Sequence, residues 1–267
     1  MTGYAIRGGV DGKRRLDLLA QIMAPTTEAL LRQVGVRDGM TCLDSGCGGG
    51  HVSLSLATLV GARGSVLGVD LDSVKLDAAR VDCERAGWRN VEFRTADVTS
   101  WPSSPEFDLV YARFILSHLA DRLSVIVRMR DALKPGGALV LEDVDFEGSF
   151  CHPPNPDYRR YCELYRAVVR RRGGDADLGP QLYGLCRDAG LEEVVTRVVQ
   201  PAHSGREPEK RLALSTLVNI GDSVVAEGLA TREELEATIA GLTAFTEDPR
   251  SVIGLPRVFQ TWGRKSS

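Results

Sequence analysis

The chain has 267 residues, of which 43% are hydrophobic and 26% are charged, as in an ordinary folded globule. Its net charge of −3 gives no overall attraction to nucleic acid or to an anionic membrane surface. The first residues (MTGYAIRGGVDGKRR) lack the apolar core of a secretory signal, and no apolar run approaches the ~20 residues that span a bilayer. We therefore expect a cytoplasmic protein with no membrane and no nucleic-acid partner.

The six cysteines are expected to be free thiols, because the sequence contains no C-x-x-C pair and no cluster with metal-ligand spacing. No metal site is predicted. Cys47 lies within a glycine-rich loop, where a nucleophilic thiol would need a neighbouring general base, and the sequence offers none. We interpret Cys47 as a small side chain that fills a tight turn.

The N-terminal segment, residues 1–40, is predicted to be a helical cap. Apolar residues recur with helical spacing over 12–35, and Leu16, Leu19 and Ile22 share one face. Pro25 is expected to interrupt this helix, so a second short helix is predicted over 27–34.

Residues 41–146 alternate between short apolar strands and amphipathic helices. Strands are predicted over 40–44, 65–70, 91–94, 107–112 and 138–141, and helices over 51–60, 74–86 and 121–133. Ser73 is expected to cap the helix over 74–86, which Gly87 ends. Strands that are apolar on both faces indicate a parallel sheet covered by helices, the doubly wound α/β class, whose ligands bind at the carboxyl ends of the strands.

Beyond residue 146 the alternation changes. After a turn-rich link, helices are predicted over 157–172 and 181–189, a strand over 193–199, a largely helical region over 208–242 and a closing strand over 257–262. We interpret residues 147–267 as the remainder of the sheet with two helical insertions, at about 150–190 and 205–250, that form a lid over its ligand end.

The stretch TCLDSGCGGGH, residues 41–51, joins the first predicted strand to the next helix. Glycine loses the most backbone entropy on folding, so a cluster of glycines needs a compensating role. A flexible turn and a backbone path close to a ligand both remain open at this point. The dinucleotide pattern G-x-G-x-x-G would place its third glycine where the chain has His51, so the spacing disfavours pyrophosphate binding.

Two acidic residues follow the neighbouring strands. Asp70 ends the second predicted strand, where a carboxylate can accept hydrogen bonds from both hydroxyls of a ribose. Asp97 follows the third strand, where an acceptor can meet the amino group of an adenine. With the glycine loop, these acids predict a nucleoside that lies across the first three strand ends.

Five stretches, in order, resemble the motifs of the class I S-adenosylmethionine-dependent methyltransferases: CLDSGCGGG, VLGVD, TADVTSWP, FDLVYARFILSHL and LKPGGALVLED, within residues 41–143. The resemblance implies a Rossmann-like, seven-stranded, mostly parallel sheet whose last strand is antiparallel, here RVFQTW, with helical insertions that set substrate specificity. It also implies S-adenosyl-L-methionine as cofactor and S-adenosyl-L-homocysteine as product.

In this family the glycine loop wraps the methionine part of the cofactor, the second acid holds the ribose and the third motif flanks the adenine. Ser45 departs from the pattern, because the family usually has an apolar residue there. The residues carried over by position are Asp44, Gly46, Gly48, Gly50, Asp70, Ala96, Asp97 and Val98; those added within or beside these stretches, or in the N-terminal cap, are Cys47, Leu71, Arg113, Tyr4 and Gln21.

His118 and Asp143 are the candidate catalytic residues, because each follows or ends a strand expected to face the methyl group. A histidine that titrates near neutrality suits the deprotonation of a hydroxyl, a phenol or an amine. A capping or packing role for His118 remains the alternative.

The sequence thus predicts methyl transfer to oxygen, nitrogen or carbon of a small organic acceptor, in natural-product metabolism, by a monomer or homodimer. A cofactor-binding scaffold or regulator without transferase activity is the alternative. A short-chain NAD(P)-dependent oxidoreductase would need a Tyr-x-x-x-Lys pair, and no tyrosine has a lysine four positions later. The arginine run 170–172 is interpreted as a solvated helix end that complements the helix dipole, rather than an RNA site.

Overall fold

The computed structural model describes residues 9–100 and 104–267. Within these residues ten strands and eight α-helices follow one another. The strands are β1 (Thr41–Ser45), β2 (Ser65–Asp70), β3 (Val91–Thr95), β4 (Phe107–Arg113), β5 (Leu133–Asp145), β6 (Phe150–His152), β7 (Glu192–Val199), β8 (Ala202–Ser204), β9 (Val252–Gly254) and β10 (Arg257–Arg264). The helices are α1 (Gly9–Val34), α2 (His51–Val60), α3 (Ser73–Arg85), α4 (Arg122–Asp131), α5 (Pro156–Arg171), α6 (Leu182–Asp188), α7 (Arg211–Ala226) and α8 (Arg232–Glu247).

Seven of these strands form the central sheet, in the order β3-β2-β1-β4-β5-β10-β7. The first five pair in parallel, and β10 runs antiparallel to both of its neighbours. The predicted seven-stranded, mostly parallel, doubly wound sheet with an antiparallel last strand is therefore confirmed. Because β1 lies between β2 and β4, the strand order reverses at its carboxyl end, where open α/β sheets leave a ligand crevice.

One apolar cluster is formed mainly by α1, α5, α7 and α8, and it reaches the central sheet through Val258 of β10. Its members on the last three helices include Leu164, Val168, Leu217, Ile220 and Leu242, each at most 1% exposed. A small sheet, β6-β9-β8, joins this cluster through the buried Ile253. We call α1, α5, α7 and α8 the lid helices.

The prediction of two N-terminal helices is wrong, because α1 continues through Pro25. Proline removes one backbone donor and costs about 3 kcal/mol inside a helix. Both sides of Pro25 are nevertheless buried, with Met23 at 1% and Leu30 at 2% exposure, and the Thr26 hydroxyl donates to the Met23 carbonyl (3.0 Å). Burial of one continuous face outweighs the local preference.

Other boundaries moved for local reasons. Asp72, not Ser73, caps α3, since its carboxylate accepts from the backbone N–H groups of Val74 and Lys75 (3.1 and 3.2 Å). The predicted helical region over 208–242 is divided into α7 and α8, and α8 begins with a capping box between Thr231 and Glu234. No helix in the described part of the chain has both the length and the apolarity to cross a bilayer.

Candidate functional site

One cavity of about 540 Å³ lies between the carboxyl ends of β1, β2 and β4 and the lid helices. One wall is made by the loops that follow these strands and the other by side chains of α1, α5 and α7. The lining residues that carry the argument below are Asp44, Gly46, Gly48, Asp70, Leu71, Asp97 and Val98 on the strand side, and Arg15, Phe146, Tyr161, Tyr165, Arg172 and Thr216 on the lid side.

The glycine loop after β1 has a backbone path that L-residues rarely adopt. Gly46, Gly48 and Gly50 have φ angles of +75°, +52° and +78°. A Cβ atom on Gly46 would clash with the side chain of Ile115, whereas a Cβ on Gly48 would enter open space. The first glycine therefore admits close packing against the loop after β4, and Gly48 brings the backbone to the cavity wall.

Backbone hydrogen bonds hold this loop to β2. The N–H groups of Gly46 and Cys47 both donate to the Val69 carbonyl (2.8 and 2.9 Å). Cys47 lines the cavity, and burial raises the pKa of its thiol, which stays protonated at neutral pH. The loop is thus an ordered part of the site and not a flexible turn.

Asp70, at the end of β2, is held in a fixed orientation. Its Oδ2 accepts from the Gly48 N–H and its Oδ1 from the Asp72 N–H, both at 2.9 Å. A carboxylate has about four lone-pair positions, so each oxygen retains capacity for one more donor. Those remaining positions suit two vicinal hydroxyl groups.

Beside Asp70 the wall becomes apolar. Leu71 is 66% exposed although it is a large apolar residue, and it lines the cavity together with Val98. Asp97 lies next to them, and its Oδ1 accepts from the N–H and the hydroxyl of Thr99 (2.8 and 2.7 Å). An exposed leucine beside a positioned carboxylate forms a surface that a flat heterocycle would cover.

Asp44 lies deeper, at the end of β1, and is 2% exposed. Burial raises the pKa of its carboxyl to about 6, against the opposing effects of a 2.6 Å hydrogen bond from the Ser53 hydroxyl and of the nearby Arg113. Arg113, at the end of β4, lines the cavity and donates to the Thr27 hydroxyl (3.1 Å).

His118 lies in a short 3-10 turn after β4 and lines the cavity. Burial lowers the pKa of its imidazole to about 4, and the positive charges of Arg15, Arg172 and Lys75 lower it further. The ring is therefore neutral at pH 7, and its pKa does not lie near neutrality as the sequence predicted.

Asp143 is placed away from the cavity, contrary to the expectation that it faces the methyl group. It is 1% exposed, and its two oxygens accept from the backbone N–H groups of Ser117 (3.0 Å) and Val144 (2.9 Å). Burial raises the pKa of its carboxyl to about 6. Since Ser117 precedes His118, Asp143 anchors the turn that carries the histidine.

Three further residues that were expected to contact the cofactor do not line the cavity. Gly50 and Ala96 belong to the loops but do not line the cavity: a Cβ on Gly50 would face Phe93 and Ala79. Gln21 is exposed, because the face of α1 that meets the cavity carries residues 15, 16, 19 and 23 instead. Tyr4 lies outside the described residues.

The sequence analysis missed the lid side of the cavity. Arg15 is 8% exposed, and its position relative to Leu19 and Met23 (i, i+4, i+8) places an arginine on the apolar face of a helix, a signal that was available. Arg172 is not a solvated helix end: it lines the cavity and pairs with Glu227 (3.2 Å).

Aromatic side chains complete that wall. Phe146, after β5, stacks on Tyr165 of α5 with ring centroids 4.1 Å apart, and it meets Tyr161 edge-on at 6.2 Å. Their grouping depends on the packing of α5 across the end of β5, so no local pattern predicts it.

Comparison with known proteins agrees with this geometry. Residues 36–182 match a family model described as a methyltransferase domain. Over 209 residues the chain is 31% identical to an arsenite methyltransferase of Aquipseudomonas alcaligenes, covering 75% of this chain and 54% of that protein. It is also 31% identical to a ubiquinone biosynthesis O-methyltransferase of Ruegeria pomeroyi, covering 67% of this chain and 71% of that protein. The chain thus spans about half the length of the first relative.

Among solved structures, the fold is similar to that of phosphoethanolamine N-methyltransferase 2 of Haemonchus contortus in complex with phosphomonomethylethanolamine and S-adenosylhomocysteine. The TM-score is 0.59 with 16% sequence identity, and the match covers 95% of this chain and 58% of that chain. At this identity the likeness concerns the fold alone.

Proposed function

Since this chain belongs to the class I S-adenosylmethionine-dependent methyltransferase family, we propose that it transfers the methyl group of S-adenosyl-L-methionine to a small organic acceptor. The observation that carries this proposal is the single cavity that joins the glycine loop and the strand-end acids to the lid helices. Such a cavity has room for a nucleoside at one end and a second molecule at the other.

The residues at the strand ends fit the cofactor. Asp70 retains acceptor positions for the two ribose hydroxyls, and Leu71 and Val98 offer apolar surface to adenine beside Asp97. The open space at Gly48 lets the backbone approach the methionine part. When bound, the cofactor supplies a methyl group on a sulfonium, which a nucleophile displaces.

The residues of the chain position the acceptor and exclude water from the reacting groups. Holding the acceptor in line with the methyl group is worth roughly 7–11 kcal/mol of barrier. His118 is the proposed general base, because its neutral ring lines the cavity. A pKa of about 4 lies below the near-neutral value that suits a general base best, so positioning supplies the larger share of the rate. Asp143 is a positioning residue, which acts by anchoring the backbone of the His118 turn.

The proposal also covers the division into domains, the methyl acceptor, the compartment and the oligomeric state. We assign the cap to residues 1–40, the cofactor-binding core to 41–146 and the lid-bearing remainder to 147–267. In support of this division, α1 of the cap packs with α5, α7 and α8 of the remainder in one apolar cluster. The relatives are named for chemically different acceptors, so the acceptor and the methylated atom type are not inherited from them. We further propose a cytoplasmic monomer or homodimer without nucleic-acid or membrane partner that acts in natural-product metabolism. The net charge of −3 gives it no overall attraction to nucleic acid or to an anionic membrane surface.

Calorimetric titration with S-adenosylmethionine and S-adenosylhomocysteine tests the cofactor assignment. Asp70→Asn should weaken both affinities by about 100-fold or more, because two hydrogen bonds to a charged group are lost. Asp77→Asn is the matched control: Asp77 is 73% exposed on α3, its ion pair with Arg80 lies on the surface, and the affinity should not change. Wild-type affinity in Asp70→Asn would refute the ribose assignment.

A scaffold would bind the cofactor without turning it over. Release of S-adenosylhomocysteine in the presence of an acceptor panel separates the two functions. Under the transferase proposal at least one acceptor gives turnover, and His118→Gln lowers kcat without changing the affinity for S-adenosylhomocysteine.

A further inference from the structure

We propose that Arg15 binds a carboxylate of the methyl acceptor, so that the acceptors of this protein are anionic. This inference rests on the proposed function and names the substrate class for the same cavity. Arg15 belongs to α1, lines the cavity and is 8% exposed.

A hydroxyl group holds the guanidinium of Arg15, and the side chains that the structure describes place no counter-charge beside it. Its Nε donates to the hydroxyl of Thr216 on α7 (2.9 Å), and that hydroxyl also donates to the Leu212 carbonyl (2.8 Å). Among the residues whose side chains the structure describes, no carboxylate forms an ion pair with Arg15. A buried charge is costly unless it is paired, and the planar fork of arginine matches a carboxylate with its two remaining nitrogens.

The other charges of the cavity place this cation at the acceptor end. The acids that line the cavity within the described residues all lie in or just after the carboxyl ends of β1, β2 or β3: Asp44, Asp70, Asp72 and Asp97. Each already accepts a hydrogen bond from a nearby hydroxyl or backbone N–H at the cofactor end. On the lid side, Arg172 is paired with Glu227, whereas no carboxylate among the described side chains pairs with Arg15.

Arg15 lines the same cavity as the lid residues Tyr161 and Tyr165 and the proposed base, His118. Its charge acts on the imidazole of His118 and on the phenol of Tyr161. An acceptor carboxylate on Arg15 would therefore lie close to both the base and the aromatic wall of Phe146, Tyr161 and Tyr165. The chemical class that fits is a carboxylic acid with an aromatic or apolar body.

A carboxylate also occurs in the methionine part of the cofactor, so the experiment must separate the two sources. The protein is first saturated with S-adenosylhomocysteine, which fills the cofactor end, and is then titrated with benzoate or with the uncharged isostere benzamide. Calorimetry measures affinity, and the ¹H–¹⁵N signal of the Arg15 Nε reports contact.

We expect benzoate to bind at least about tenfold more tightly than benzamide and to shift the Arg15 signal. Arg15→Gln should abolish the preference for benzoate over benzamide. Thr216→Val, which removes only the hydroxyl that accepts from the Arg15 Nε, should reduce this preference. Arg32→Gln is the matched control, because it removes an exposed arginine of the same helix with the same change in net charge. Benzoate should also raise the pKa of His118, since it neutralises Arg15, whereas benzamide should not.

Equal binding of benzoate and benzamide, or no binding of benzoate to the saturated protein, overturns the inference. A tenfold loss of S-adenosylhomocysteine affinity in Arg15→Gln also overturns it, because Arg15 would then hold the cofactor carboxylate. If the wild-type protein does not bind S-adenosylhomocysteine, the proposed function fails instead. Titration of the protein with benzoate and benzamide in the absence of S-adenosylhomocysteine then decides the role of Arg15.

Discussion

The two ends of the cavity are built in different ways. The cofactor end is made by three consecutive strand-to-helix loops, and much of its shape comes from backbone, as at Gly46 and Gly48. The acceptor end is made by side chains of α1, α5 and α7, as in the contact between Arg15 and Thr216, which are 201 positions apart. The first end depends on local loop geometry and the second on how distant helices pack.

This difference separates two kinds of stability. The residues of the glycine loop are held by hydrogen bonds to the adjacent strand β2, so that end stays ordered as long as the sheet exists. The lid helices hold one another through an apolar cluster, and the acceptor end exists only while this cluster is packed. Changes in one region should therefore leave the other largely intact.

The largest effect is expected from a cavity in the lid cluster. Leu217 on α7 is fully buried, so Leu217→Ala should lower the free energy of unfolding by about 2–5 kcal/mol. Val218→Ala, at a position 47% exposed on the same helix, should change it by less than about 0.5 kcal/mol. Urea unfolding measures both. A tenfold loss of S-adenosylhomocysteine affinity in folded Leu217→Ala would show that the two ends are not independent.

The second effect is a pH dependence from His118, which borders both ends. Its pKa falls from 6.5 to about 4 on folding, so the unfolded chain binds more protons between these values and His118 makes the protein more stable as pH rises through that window. Asp44 and Asp143, with pKa values raised to about 6, contribute with the opposite sign between 3.8 and 6.

Because the two acids are common to both proteins, the difference between wild type and His118→Gln isolates the histidine. The free energy of unfolding of the wild type minus that of His118→Gln should rise by at most about 3 kcal/mol from pH 4 to 6.5 and stay constant above pH 6.5. Thermal and urea unfolding across this range measure it. A difference that falls with rising pH would mean that folding raises the histidine pKa.

The smallest effect compares two glycines of positive φ. Gly46→Ala and Gly35→Ala should each cost about 1–2 kcal/mol for the left-handed backbone. A Cβ at Gly35 meets nothing, whereas one at Gly46 displaces Ile115, so Gly46→Ala should lose about 1 kcal/mol more. It should also weaken S-adenosylmethionine binding, because Ile115 lines the cavity. Equal stability and affinity in the two variants would remove the close-packing role of Gly46.

The sequence was sufficient for the fold and for much of the strand-side wall. Apolar strands alternating with helices predict a parallel sheet, and a parallel sheet places the ends of consecutive strands at one edge. Asp44, Asp70 and Asp97 could therefore be grouped before any coordinates were known, and all three line the cavity. Local signals misled where burial opposed them, as at Pro25, which lies inside α1.

The sequence did not predict the direction in which individual side chains point. Asp143 ends a strand at the correct edge, yet its carboxylate turns to the backbone of Ser117 and Val144. Arg172 has the sequence context of a solvated helix end, and only the approach of α7 brings Ser223 and Glu227 to it.

The sequence by itself thus determined the sheet class and the place of the glycine loop TCLDSGCGGGH at the end of a strand, because both follow from the periodicity of the apolar residues. Tertiary structure decided which side chains face the cavity from the lid. Helix packing has many arrangements of similar local energy, and the choice among them depends on the buried contacts of segments far apart in the chain. Arg15 illustrates both cases. The sequence predicts its place on an apolar helix face, but not its hydrogen bond to Thr216.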